Sequence, residues 1–116
     1  MSARDDMLYF GHMLDMSSKI AQRTATLTRD RFDGDEDLRL ALLHLVQTIG
    51  EAARRISPEG RAAHPEIPWR EIMGMRHRIV HDYMAMDYDI LWEVVTRSLP
   101  PLIAALEQTV PPEAIC

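Results

Sequence analysis

A chain of 116 residues, 47% apolar and 27% charged, is long enough for one folded domain and too apolar to be disordered throughout. Its formal net charge of −5 argues against a nonspecific nucleic-acid coat, although a local basic patch is compatible with it. Cys116, the single cysteine, excludes a disulfide within one chain. The acidic start MSARDDMLYF and the lack of a long apolar run predict a cytoplasmic protein without signal peptide or membrane span.

The first half of the chain predicts two helices. The periodicity is helical, and no strand-like alternation occurs anywhere in the sequence. One helix is expected from about Arg4 to Leu27. Residues 29–37 are expected to form a loop because they combine glycine with acids, and the second helix opens at Asp35–Asp37. Its apolar stripe is Leu38, Leu42, Leu45, Ile49, Ala52 and Ile56.

Two further helices are expected in the second half. Residues 57–68 carry three prolines and a glycine, which predicts a connector with at most one short turn. The third helix is expected from Trp69 to about Val80. The fourth starts near Asp87, and Pro100-Pro101 breaks or kinks it. Its inward-facing residues are predicted to be Tyr88, Leu91, Val94, Val95 and Leu99.

The whole pattern predicts an all-α protein. Four amphipathic helices with short connections typically form an antiparallel bundle, here of four to five helices. Neither a repeat nor a change of composition marks a second domain. Residues 1–116 are therefore expected to form one domain, in which residues 110–116 are a frayed C-terminal tail.

RHRIVHDY, residues 76–83, holds more polar groups than a helix of a small protein needs for stability. One interpretation is a solvated helix end. In it, Arg76 and Arg78 neutralise the C-terminal end of the helix dipole, and His81 with Asp82 caps the helix.

A second interpretation is a metal site, because His77 and His81 lie four residues apart on one helical face. Two histidines are too few ligands on their own. No acidic residue stands three positions before any histidine, so the Glu-x-x-His signature of di-iron bundles is absent. The flanking arginines would also repel a cation.

The third interpretation is metal-independent cleavage of RNA. A base must deprotonate the ribose 2′-OH, an acid must protonate the leaving 5′ oxygen, and a cation must stabilise the phosphorane. Histidine suits proton transfer because its pKa lies near neutrality. Arginine suits stabilisation of the phosphorane because the N–H groups of its planar guanidinium can bind two phosphate oxygens at once. Arg76 and His81 supply this pair at a spacing of arginine, four residues, histidine.

The spacing alone is weakly specific. Arg39 and His44 repeat it inside the second helix, where Arg39 is expected at the surface and His44 partly buried. Arg76 and His81 are about 140° apart around an ideal helix, so they cannot touch on a regular one. Either the helix unwinds near His81, or the pair acts together with its copy in a second subunit.

PEIPWREIMGMRHRIVHDY, residues 65–83, closely resembles the signature of the HepT family in the HEPN superfamily, toxins of bacterial and archaeal toxin–antitoxin pairs. TIGEAARRIS, residues 48–57, resembles the second-helix motif of the family, and the likeness covers essentially the whole chain. It implies an all-helical homodimer and a metal-independent endoribonuclease with an Arg-x4-His-x-Tyr motif, here Arg76, His81 and Tyr83. In such a dimer the two motifs meet in a cleft across the axis.

The resemblance also implies a partner and a mode of regulation. The usual partner is a minimal nucleotidyltransferase antitoxin, which in a type VII-like pair neutralises the toxin by adenylylating the motif tyrosine, here Tyr83. An AMP group on Tyr83 would put negative charge against Arg76, where the RNA phosphate should bind. The resemblance implies no cofactor and no membrane.

Neighbouring residues are candidates for supporting roles. The residue after the motif arginine is commonly small and polar, whereas here it is His77, which either adds a titrating group or is merely tolerated. Arg78 and Asp82 are candidates for phosphate binding or for support of the site. Glu51, in the second-helix motif, is either a surface acid or a carboxylate that orients the catalytic pair.

The sequence therefore predicts a HEPN bundle that acts as a ribonuclease toxin. Arg76 would bind phosphate, His81 would serve as general acid or base, and Tyr83 would accept the AMP group. The alternative is a catalytically inactive helical module that docks a nucleotidyltransferase and presents Tyr83 or a nucleotide to it. Cleavage of RNA by purified protein in EDTA separates the two.

Overall fold

The structure is a computed structural model that describes residues 3–82 and 85–111, with side chains described for residues 5–80 and 85–111. Its helices are α1 (Ala3–Thr24), α2 (Arg29–Asp33), α3 (Glu36–Arg55), α4 (Pro58–Ala62), α5 (Trp69–Ile79), α6 (Tyr88–Glu93) and α7 (Leu99–Thr109), and a π-helical turn, Val94–Ser98, joins the last two. Two short strands, β1 (Val80–Asp82) and β2 (Ala85–Met86), lie between α5 and α6. No helix in these ranges is both long and apolar enough to cross a membrane.

The core lies between α1, α3, α5 and the rod formed by α6 and α7. The α3 stripe supplies Leu42, Ile49 and Ile56, which are fully buried, as their helical spacing requires. α1 packs against α3 and α7, and α3 packs against α5. α1 ends at Thr24, earlier than the predicted Leu27. The prediction of an all-α bundle is confirmed.

The predicted loop at residues 29–37 is wrong in its first half, because that half forms α2. The Thr28 side chain caps this helix by accepting a hydrogen bond from the Arg31 backbone N–H at 3.2 Å. Phe32 is completely buried, and its packing stabilises a helix too short to persist alone. Asp35 then caps α3, which confirms the predicted start of the second helix.

Arg39 and His44 occupy the opposite environments from those predicted. Arg39 is only 8% exposed, and its Nη1 donates to the backbone carbonyls of Phe32, at 2.7 Å, and Asp33. Its guanidinium also lies over the Tyr88 ring, 4.3 Å from the centroid. His44 is exposed. The arginine is buried because it satisfies the C-terminal carbonyls of α2, a contact that local sequence does not reveal.

The prediction that strands are absent is wrong at one place, where β1 and β2 form an antiparallel hairpin. The paired residues are Val80 with Met86 and Asp82 with Ala85. The Asp87 backbone N–H donates to the Ile79 carbonyl at 2.6 Å and closes the base of the hairpin. A ladder this short has no alternation that periodicity could detect.

The fourth predicted helix begins where expected, since the Asp87 side chain caps α6 by accepting the Ile90 backbone N–H at 3.0 Å. The predicted inward residues that are buried are Leu91, Val94, Val95 and Leu99. Tyr88 is the exception, because it is 37% exposed and its ring covers the Arg39 guanidinium.

Pro100 and Pro101 change the hydrogen-bond pattern without ending the helix. Proline has no backbone N–H, so neither residue can donate to the preceding turn. The chain accommodates this through the π-helical turn, in which the Leu99 N–H donates to the Val94 carbonyl. The prolines then occupy the first turn of α7, where a backbone N–H would have no hydrogen-bond acceptor within that helix.

The connector at residues 57–68 contains α4 as its one short turn. The Ser57 hydroxyl caps this helix by accepting the Gly60 backbone N–H at 3.0 Å. The buried Asp6 carboxylate accepts the Ser57 backbone N–H at 2.8 Å and the Ser57 hydroxyl at 2.6 Å. These hydrogen bonds tie α1 to the start of α4.

The predicted tail begins too early at residue 110. Val110 is 2% exposed, and its backbone N–H donates to the Leu106 carbonyl at 2.8 Å. Val110 is therefore part of the core. Residues 112–116 lie outside the described part of the chain.

Candidate functional site

Three basic residues are exposed at the end of α5. Arg76, His77 and Arg78 occupy its last turn, where positive charge interacts favourably with the C-terminal end of the helix dipole. Within the described part of the chain, no hydrogen bond or ion pair engages their side chains. Among those residues, nothing competes with an anion for the Arg76 guanidinium.

α5 unwinds before it reaches the second half of the motif. The helix ends at Ile79, and the next residue has an extended backbone with φ −108° and ψ 102°. The backbone of His81 and Asp82 belongs to β1, so the helical separation of about 140° from Arg76 no longer applies. The side chains of His81 and Asp82, and Tyr83 as a whole, lie outside the described residues.

A groove of about 250 Å³ lies between α3 and α5, and we call it the α3–α5 groove. Its apolar floor consists of Val46, Gly50, Ile72 and Met73. Its polar rim consists of Gln47, Glu51, Arg54, Arg76 and His77. The groove thus brings together three residues selected from the sequence, one from the second-helix motif and two from the end of α5.

Arg54 is a groove residue that the sequence pattern did not single out. Its Nη2 donates to the Met73 carbonyl at 2.7 Å, which holds the guanidinium against α5. Its neighbour Arg55 faces α1, with its guanidinium 6.0 Å from the centroid of the Tyr9 ring. Both arginines belong to the motif TIGEAARRIS, and only the packing of α3 against α5 reveals which of them shares the groove with Arg76.

Arg78 lies on another face of α5. Together with Pro101 and other residues, it lines a separate pocket of about 290 Å³ between α5 and α7. Positions two residues apart on a helix point about 200° apart, so Arg76 and Arg78 diverge. The structure therefore places Arg76, His77 and Glu51 at one groove and separates Arg78 from them.

Glu51 is exposed on the ridge between two grooves. It lines the α3–α5 groove and also a groove between α1 and α3 that contains His12 and Arg55. In the part of the chain that the structure describes, Glu51 forms no ion pair with Arg54 or Arg55. The cations of the α3–α5 groove are therefore not neutralised by this carboxylate through direct contact.

The rim of the groove is positive although the whole chain has a net charge of −5. It carries two arginines, Arg54 and Arg76, and one carboxylate, Glu51. Because exposed charges are screened over about 8 Å at physiological ionic strength, nearby cations decide which ligand binds. This side of the bundle favours an anion.

Asp6 and Arg29 have shifted pKa values, and both lie away from the groove. Hydrogen bonding from the Ser57 hydroxyl holds the pKa of the Asp6 carboxyl below its ordinary value, although burial opposes this effect. Hydrogen bonds to Asp33, at 2.8 Å, and Asp89, at 2.6 Å, raise the pKa of Arg29. These contacts join α1 to α4 and α2 to α6, so they support the fold.

Across residues 3–82 and 85–111, no group of three or more histidine, cysteine, aspartate or glutamate side chains is placed to hold a metal ion. His77 lies at the groove beside Arg76, whereas the side chain of His81 is not described.

Comparison with known proteins gives consistent matches. A family model described as "Ribonuclease HepT-like" matches residues 13–109. A "Putative RNase" of Methanocaldococcus jannaschii is 29% identical over 92% of this chain and 98% of that protein. A "Putative RNase" of Caldanaerobacter subterraneus subsp. tengcongensis is 32% identical over 81% of this chain and 84% of its own length. "Probable ribonuclease HepT" of Thermococcus cleftensis is 30% identical over 86% and 91%, respectively. No solved structure shows a significant match.

The family match covers the elements that build the groove. It runs from the middle of α1 to the end of α7, and it includes Glu51, Arg54 and Arg76. The relatives match over most of their own length, so the similarity concerns whole proteins rather than one shared module. The chain belongs to the HepT-like ribonuclease family.

Proposed function

We propose that this protein is the toxin of a type VII-like toxin–antitoxin pair and cleaves RNA internally without a metal ion. Arg76 binds the scissile phosphate, and His81 acts as general acid or base. The active unit is a homodimer in which the two motifs meet in a cleft across the twofold axis. A nucleotidyltransferase antitoxin neutralises the toxin by adenylylating Tyr83.

The placement of Arg76 is the observation that carries this proposal. Its guanidinium is exposed at a groove, and the described residues leave it without a competing partner. The backbone turns from helix to strand between Arg76 and His81, which removes the helical separation of the two residues. Relatives that cover nearly the whole chain are named as RNases.

The reaction transfers one proton to the enzyme and one proton from it. A base takes the proton of the ribose 2′-OH, the 2′ oxygen forms a bond to phosphorus, and the bond between phosphorus and O5′ breaks. An acid protonates O5′, so the products carry a 2′,3′-cyclic phosphate and a 5′-hydroxyl. We assign one of these proton transfers to His81 and the stabilisation of the phosphorane charge to Arg76.

The direct test is cleavage of RNA by the purified full-length protein in EDTA. Wild type should produce fragments that end in a 2′,3′-cyclic phosphate. Arg76→Ala and His81→Ala should each slow cleavage by about 100-fold or more, because each removes a group that acts in the transition state. Arg70→Ala is the matched control: it removes an exposed arginine of α5 that does not line the groove, and it should keep the wild-type rate.

Two outcomes would contradict the proposal. Cleavage that requires added Mg²⁺ would contradict the metal-independent mechanism. Equal inactivity of wild type, Arg76→Ala and His81→Ala, with Tyr83 still modified by the partner, would favour the catalytically inactive module that docks a nucleotidyltransferase.

The proposed regulation follows from charge. An AMP group on Tyr83 adds a phosphate to the motif, and Arg76 is the arginine of that motif. If the phosphate of the AMP group binds the Arg76 guanidinium, the RNA phosphate cannot bind to the same side chain. One covalent change thus blocks the substrate without unfolding the toxin.

A further inference from the structure

The α3–α5 groove has two kinds of surface side by side. Its floor is apolar, and its rim carries an amide, a carboxylate and cations. A nucleotide matches this combination, because its base can lie on apolar atoms while its phosphate binds a guanidinium.

Arg54 is held at this groove and keeps spare donors. One nitrogen of its guanidinium is bound to the Met73 carbonyl. A guanidinium has several further N–H donors in a fixed fork, and the described residues do not engage them. Arg54 can therefore bind phosphate oxygens without losing its contact with α5, and little side-chain entropy is lost because the group is already positioned.

Gln47 lies on the same face of α3, about two helical turns before Arg54. Its amide offers a donor and an acceptor, and no side-chain hydrogen bond engages it within the described part of the chain. An uncharged amide can pair with a base edge that presents a donor beside an acceptor. Gln47 is thus placed to distinguish one base from another.

We infer that the α3–α5 groove is a nucleotide subsite for the RNA strand beside the scissile bond. The base lies against Met73, the apolar lining residue that is partly exposed, Gln47 hydrogen-bonds the base edge, and Arg54 binds the phosphate of that nucleotide. The inference rests on the proposed function, because it places this nucleotide next to the phosphate that Arg76 binds. It assigns base specificity to Gln47 and a second phosphate contact to Arg54.

Charge complementarity favours RNA over a second copy of this chain as the occupant. Arg54 and Arg76 face one groove, and Glu51 is the single carboxylate among the residues that line it. A polynucleotide offers a phosphate at every step, so two cations along one groove can bind successive phosphates.

The test is a titration of full-length protein with each of the four ribonucleoside 3′-monophosphates in EDTA. Binding is followed by the amide NMR shifts of residues 46–54 and 72–77, and one nucleotide should bind more tightly than the others. Arg54→Ala should weaken binding by about tenfold or more, the loss of one charge-assisted hydrogen bond. Arg55→Ala removes the same charge from the other side of α3 and should have little effect. Gln47→Leu should abolish the preference among the four nucleotides.

Each contrary result is distinct. Nucleotide shifts that miss both helices, or equal effects of Arg54→Ala and Arg55→Ala, would overturn the subsite. An unchanged preference in Gln47→Leu would overturn the role of Gln47. Binding does not depend on cleavage, so nucleotide binding at the groove by a protein that fails to cleave RNA would refute the nuclease and leave the groove as a nucleotide-binding site.

Discussion

Two buried charged side chains, Arg39 and Asp6, are positioned by contacts between elements rather than by their immediate neighbours in sequence. Arg39 is buried because α2 and Tyr88 surround it, and Asp6 is buried because Ser57 donates two hydrogen bonds to it. A sequence shows the type and spacing of such residues, but their exposure depends on which helices pack against them.

The Asp6–Ser57 contact predicts a pH-dependent stability. Asp6→Asn should lower the free energy of unfolding by about 1–3 kcal/mol near neutral pH, because charge-assisted hydrogen bonds are lost in a buried place. The pKa of Asp6 is lower in the folded state than its ordinary value of 3.8. Its contribution is therefore complete above that value and disappears as the pH falls through the folded pKa. Urea unfolding of wild type and Asp6→Asn at several pH values measures the contribution of Asp6 to the free energy of unfolding.

The control for Asp6 is Glu107→Gln, which removes an exposed carboxylate from α7. It should change stability little at any pH. The difference between wild type and Asp6→Asn should shrink in acid. A difference that stays constant down to acid pH would show that the Asp6 charge does not contribute.

The residues of the candidate site were predictable to different degrees. The spacing and context of the motif select Arg76 and place it at a helix end, as the structure shows. The same information could not separate Arg54 from Arg55, because adjacent helical residues point about 100° apart and only packing shows which one faces α5. Arg78 belongs to another face for the same geometric reason.

At the level of elements, the close packing of α3 on α5 shapes the groove. Gly50 lies at the contact, where an added Cβ would be 3.2 Å from the Ile72 carbonyl oxygen. Most observed Cβ contacts are longer, so a side chain here would push the helices apart. Gly74, in the middle of α5, has no atom within 4 Å of an added Cβ.

These two glycines predict opposite mutational effects. Gly50→Val should lower stability by about 1–3 kcal/mol, because overpacking forces α3 from α5. Gly74→Ala should raise stability by about 0.5–1 kcal/mol, because alanine favours a helix interior and nothing obstructs its methyl group. Thermal unfolding at fixed protein concentration measures both changes. A lower Tm for Gly74→Ala would contradict the prediction and show that another surface packs against this face of α5.

Long helices were predictable from periodicity and short elements were not. α3 follows a clear apolar stripe after its capping residue Asp35, and α5 follows Pro68, so their predicted bounds agree closely with the structure. The short elements are α2, the strands β1 and β2, and the π-helical turn. Each of them has five residues or fewer, which is too few to show a hydrophobic period. They form because buried side chains or prolines fix them in place.

For the whole molecule, the main feature is the contrast between an acidic chain and the pair of arginines at the α3–α5 groove. The net charge of −5 limits nonspecific attraction to nucleic acid, while Arg54 and Arg76 supply local contacts. The bundle itself follows from four amphipathic helices and was predictable. A shared cleft between two subunits is a property of the assembly, and no pattern within one sequence gives its geometry.

The most direct test of the shared cleft is to mix Arg76→Ala protein with His81→Ala protein. Neither should cleave RNA alone in EDTA. If Arg76 of one subunit acts with His81 of the other, a mixed dimer holds one complete pair and cleavage should return. A control mixture of Arg76→Ala with the Arg76→Ala/His81→Ala double variant contains no Arg76 and should stay inactive. Absence of cleavage by mixed dimers whose formation is verified by native mass spectrometry would contradict the shared cleft.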